Sequence, residues 1–147
     1  MNGGKRTLLL VVHIAAAGAW FGHKLTIPAD IRGSIADGGD VALGMVERMK
    51  ASARLGISSA VVTVASGVGL LAVAGWQGPV VLGLGIMAAL TAIAVGAVVA
   101  RPAWAGLETA VGGGDLALAA AFGRRFSRAV HVENLLWITA LAGMVGA

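Results

Sequence analysis

Four long apolar runs, Leu8 to Ile27, Leu55 to Ala74, Pro79 to Ala100 and Ala129 to Ala147, are separated by stretches that hold most of the charge. Each run is close to the ~20 residues a helix needs to cross ~30 Å of hydrocarbon. None alternates apolar and polar positions as a membrane β-strand does. The pattern predicts four transmembrane helices. In the third run Ala88, Ala92, Gly96 and Ala100 recur every fourth position, a stripe of small residues that lets helix backbones approach closely. The second carries Ser52, Ser59, Thr63 and Ser66 on one side, which predicts hydrogen-bonded helix packing. The polar connections have a pattern of their own. Val41, Met45 and Met49 follow Asp40 at helical spacing, and Leu118, Phe122 and Phe126 follow Asp115. Two short amphipathic helices, N-capped by these aspartates and lying along the membrane interface, are expected.

The second half of this pattern repeats the first at a spacing of about 75 residues. Pro28-Ala29, Gly38-Gly39-Asp40-Val41-Ala42-Leu43, Arg48, Thr63 and Gly67 reappear as Pro102-Ala103, Gly113-Gly114-Asp115-Leu116-Ala117-Leu118, Arg124, Thr139 and Gly143. The expected fold is an all-α, polytopic membrane protein: four transmembrane helices in one domain spanning 1–147, built from two tandem helix, interfacial helix, helix repeats at about 1–75 and 76–147.

Composition agrees with this class. Hydrophobic residues make up 58% of the chain and charged residues 12%. Of the 11 Lys and Arg, only Lys5 and Arg6 precede the first run and none lies in the Trp76-Gln77-Gly78 turn. The other nine lie in or beside the two long connections, so these are expected to be cytoplasmic and both termini outside, in a bacterial-type inner membrane. The net charge of +4 follows from that topology and calls for no nucleic acid. The lipid bilayer is the expected partner, with a second copy or a membrane redox protein beside it. The N-terminus, with Lys5-Arg6 before an apolar run, has the look of a signal peptide. Retention is expected, because the run continues to Ile27 and its end matches the repeat at Pro102. Cysteine is absent, which excludes thiol chemistry.

Comparing the halves isolates the positions that scaffold alone does not explain. His13, Trp20, His23 and Lys24 share one side of the first helix and match Met87, Ala94, Ala97 and Val98 in the third. His131, Glu133, Asn134 and Trp137 of the fourth match Leu55, Ile57, Ser58 and Val61. Intramembrane ionisable side chains usually face a bundle interior, so His13 is the leading cofactor ligand. A single deep histidine can hold haem iron, and Met87, at similar depth on the third helix, suggests a His13/Met87 axial pair with Trp20 and Lys24 nearby. His23 and His131, both near the cytoplasmic end, form an alternative metal set with His13 deeper in the bundle. Lys24 is also placed to snorkel to the interface. Glu133 is expected to form an ion pair, with Arg101 or Arg128 as partner. No nucleophile with its base, phosphate loop or carboxylate pair is evident, so any catalysis would come from a cofactor.

Val12-His13-Ile14, followed by Trp20-Phe21-Gly22 and Pro28, resembles the opening of a group of small four-helix membrane proteins. The group includes the membrane protoporphyrinogen oxidase of haem-synthesising bacteria, the copper resistance protein D domain and related integral membrane families. Arg125-Phe126-Ser127-Arg128 is similar to the Arg-Phe-x-Arg segment before one of their later helices. The resemblance covers most of the chain in layout and implies haem binding through His13. The oxidase type also has a lysine after a tryptophan near the start of helix 3; Trp76 is present here, but Gln77 to Gly85 contains no lysine. Copper transport fits poorly with five scattered methionines. The leading expectation is therefore a b-type haem protein with a redox role. The alternatives are a non-enzymatic transport or accessory subunit and a transition-metal permease.

Overall fold

The computed structural model describes residues 3–74 and 80–145 and is helical almost throughout. The Trp76-Gln77-Gly78 turn and Pro79 lie outside the described residues. Helices α1 (Gly3–Gly22), α2 (Ile27–Asp37) and α3 (Gly39–Ala74) form the first half. The second consists of α4 (Val80–Val95), a π-helical turn (Gly96–Ala100), α5 (Arg101–Gly112) and α6 (Leu116–Val145). Three helical stretches, Gly3–Asp37, Gly39–Val73 and Leu82–Gly112, are long and apolar enough to cross a membrane.

Two features of this order differ from expectation. The segments after Asp40 and Asp115 are not separate interfacial helices; they are the opening turns of α3, 36 residues long, and α6, 30 residues long. The short helices lie earlier, at α2 and α5, each with its proline in the first turn. Proline lacks an N–H, and the first helical turn is where a missing donor costs nothing. An apolar stripe at helical spacing looks the same whether it lies on lipid or on protein. Here it packs on protein except at Val41 and Leu118, which are exposed. Met45 and Val46 of α3 and Ala119 of α6 are buried with Ile27, Ile31, Leu107 and Val111 of α2 and α5, and Met49, Phe122 and Phe126 flank this core.

Each Gly-Gly-Asp turn has one glycine with positive φ, Gly38 at 115° and Gly114 at 75°, a region that favours glycine. Asp115 caps α6 as expected, its carboxylate accepting from the Leu118 N–H at 2.8 Å. Asp40 does not cap α3, which begins one residue earlier and carries Asp40 in its first turn, where the carboxylate favours the helix dipole.

The two prolines are accommodated differently. Before Pro28, α1 ends in tight i→i+3 bonds, Lys24 N–H to Phe21 O and Leu25 N–H to Gly22 O. Before Pro102 the chain stays helical by widening to a π turn, with the Arg101 N–H reaching Gly96 O. α1 packs on α3 and α4 on α6, forming two helical hairpins. The small-residue stripe faces inward as expected: Ala88, Ala92 and Ala100 are buried. At Gly85 an added Cβ would sit 3.1 Å from Ala140 O, so α4 and α6 are in backbone contact there. Ser59, Thr63 and Ser66 are buried on the side of α3 that meets α1.

Candidate functional site

The hairpins meet at the loop end through the core around Met45 and Leu107. Higher up, the seam between them is bridged by side chains. Trp20 of α1 and Trp137 of α6 are both buried and meet edge-to-face, centroids 4.8 Å apart at 89°. Such a pair contributes about 0.5–1.5 kcal/mol beyond its burial. One turn from each tryptophan stands a charge of opposite sign, and these two meet across the seam. Lys24 Nζ forms an ion pair with Glu133 Oε2, with side chains 16% and 2% exposed. The Lys24 amine also lies 5.4 Å from the centroid of the Trp20 ring.

Local backbone features hold this pair in place. Lys24 follows the tight turn that ends α1, so its side chain leaves the helix end and reaches α6. That turn frees the Trp20 carbonyl from Lys24 N–H, and His23 Nδ1–H donates to it at 2.7 Å. The His23 ring lies over Gly56 of α3, where an added Cβ would be 2.5 Å from Nε2. On the other wall, Gly96 opens the π turn, and a Cβ there would lie 2.9 Å from Glu133 Oε1. Glycine is what admits the carboxylate. Widened helical turns of this kind often mark functional sites.

Cavities of about 230 Å³ and 490 Å³ border the pair, and Lys24, Gly96 and Glu133 line both. The smaller lies toward the loop end, with His23, Arg101, Trp104, Phe126 and Ser52 on its walls. The larger is an apolar groove open to the outside between Ala60, Val61 and Val64 of α3 and Ala92 and Ile93 of α4, with Val61, Val64 and Ile93 exposed. Trp137 Nε1 and Asn134 Oδ1, next to Glu133 on α6, are buried with no partner among the described residues.

The other expected site residues lie apart from this seam. His13 is buried against α3, its Nδ1 3.0 Å from both Thr63 O and Ser66 Oγ. A carbonyl only accepts, and the Ser66 hydroxyl donates to Val62 O at 2.6 Å. Nδ1 therefore carries a proton and donates to Thr63 O. Met87 is 61% exposed on α4, while His13 is buried against α3. His131 is exposed, its Nδ1–H donating to Ser127 O of its own helix at 2.6 Å, and it lines neither cavity. His13, His23 and His131 are thus not assembled as a metal set. Among the described residues no group of three or more His, Asp or Glu is placed to hold a metal.

The Lys24–Glu133 pair replaces both the snorkelling expected of Lys24 and the Arg101 or Arg128 partner expected of Glu133. The sequence did hold a signal for it: Trp20 with Lys24 and Glu133 with Trp137 are both at i,i+4 spacing, opposite in charge and both near the loop end. No protein-family model, curated protein or solved structure matches this chain.

Proposed function

We propose that this chain is a four-helix integral membrane protein that binds a small solute at the Lys24–Glu133 pair, as a transport or accessory component and not as an enzyme. In this reading α6 is the fourth membrane helix, and the Arg- and Lys-rich end faces the cytoplasm. One observation carries it: a carboxylate 2% exposed is paired with an ammonium across a seam, between two cavities, in a chain of apolar helices. Buried charges in membrane spans are costly and mark pathways and binding sites.

A thermal-shift panel on the purified protein tests this, with benzoate, inorganic phosphate and benzylamine as probes. At least one is expected to raise the melting temperature of the wild type and not that of Lys24→Met/Glu133→Leu. No shift with any probe, or equal shifts in both proteins, would contradict a seam site.

A second reading, b-type haem on His13, is favoured by the hydrogen bond of its ring. Nδ1–H bound to a backbone carbonyl is the arrangement in which metal-ligating imidazoles present Nε2. His13 lines neither cavity, and Met87 is exposed on α4. This places haem behind the seam site. A Soret band in the wild type that disappears in His13→Ala would reverse the order.

A further inference from the structure

We infer that the solute bound in the loop-side cavity is a small organic monoanion with an apolar body, and that it enters together with a proton taken up by Glu133. The inference rests on the seam-site reading above and specifies its ligand.

Size comes first. The cavity of about 230 Å³ is below the roughly 300–1,000 Å³ of pockets for drug-sized ligands, so the occupant is small. Its walls are largely apolar, with Ile27, Met49, Trp104, Phe126 and Val130, which suits a hydrocarbon or aromatic body. Charge decides the head group. Lys24 and Arg101 line this cavity together with His23, against Glu133 as its single acid. The surplus cation is Arg101, exposed at the cavity mouth, and it draws an anion in.

The coupling follows from charge balance in an apolar site. With Lys24 and Glu133 paired, the buried charges sum to zero. Arg101 is exposed, so its charge stays solvated at the cavity mouth; an anion that takes Lys24 from Glu133 therefore leaves two negative groups beside one buried ammonium, which a low-dielectric site disfavours. Protonating Glu133 restores neutrality: Lys24 then pairs with the anion, and the neutral carboxyl stays against Gly96. The anion and the proton leave together. The remaining titratable groups near Glu133 are few. His23 and Arg101 share the cavity, Arg128 and His131 lie on α6 itself, and the lining contributed by α3, the π turn and α2 is uncharged. His23 is the one competitor for the proton.

Benzoate is a suitable probe, since it stays anionic above about pH 5. Its affinity for the purified wild type is measured by calorimetry from about pH 6 to about pH 8. One proton per anion weakens binding by about tenfold per pH unit in this window. Glu133→Gln, which mimics the protonated acid, should bind benzoate with no pH dependence, and His23→Ala should keep the wild-type slope. A flat wild-type profile, or a slope lost in His23→Ala and kept in Glu133→Gln, overturns the inference. Should Glu133→Gln not fold, proton uptake by the wild type in weak buffer decides: one proton per benzoate supports it and none overturns it. Benzylamine binding in place of benzoate, abolished by Lys24→Met/Glu133→Leu, keeps the seam site and overturns the anion. Binding of neither probe removes the seam site and this inference with it.

Discussion

Lys24 and Glu133 hold each other in a state neither would tolerate alone. Removing one partner leaves the other charge buried and unpaired, which costs about 3–5 kcal/mol, whereas replacing both with apolar residues of similar volume is often neutral or stabilising. Lys24→Met and Glu133→Leu are each expected to lower unfolding stability in detergent titrations by that order, and the double variant to recover most of it. If the two losses simply add, the pair does not exist in the folded protein. His23 gives a second test. Its ring is held over Gly56 by the bond to the Trp20 carbonyl, and a Cβ at Gly56 would meet it at 2.5 Å. Gly56→Ala is expected to cost about 1–3 kcal/mol by overpacking. In His23→Ala the same substitution should cost little, because the obstructing ring is gone.

The elements divide into those that sequence periodicity specifies and those that it leaves open. Long apolar runs identified α1, the apolar part of α3 and α4, and the stripe from Ala88 to Ala100 correctly marked the face turned inward. Connections were harder. The apolar runs end just before Pro28 and Pro102, but a proline also starts a helix, and only the packing of α2 and α5 on the core shows that the chain goes on as helix. The amphipathic turns after Asp40 and Asp115 were recognised as helix, but their partner was taken to be lipid. The turns themselves are testable. Gly38→Ala, at φ 115°, is expected to destabilise by about 1 kcal/mol or more, while Gly39→Ala, helical and with nothing within 4 Å of the added Cβ, should be neutral or slightly stabilising. Equal effects on the melting temperature would show that the turn is not strained as described.

In the whole molecule, two hairpins packed through small residues join at one end by a hydrophobic core and are bridged above it by Trp20, Trp137, Lys24 and Glu133. The sequence located these four on helices 1 and 4, since they lack counterparts in the other half. It did not show which would meet, because contact between α1 and α6 depends on how the hairpins lean together. The absence of cysteine makes the seam directly accessible to experiment. Ser52 lines the loop-side cavity, and Ala88 is buried in the α4 stripe. With Ser52→Cys and Ala88→Cys reconstituted separately in liposomes, modification by a membrane-impermeant thiol reagent applied from the loop side is timed with and without saturating benzoate. A binding site in the seam requires fast modification at position 52, slowed by benzoate, and slow modification at position 88 under both conditions. Modification at position 52 as slow as at 88, or fast and indifferent to benzoate, would contradict it.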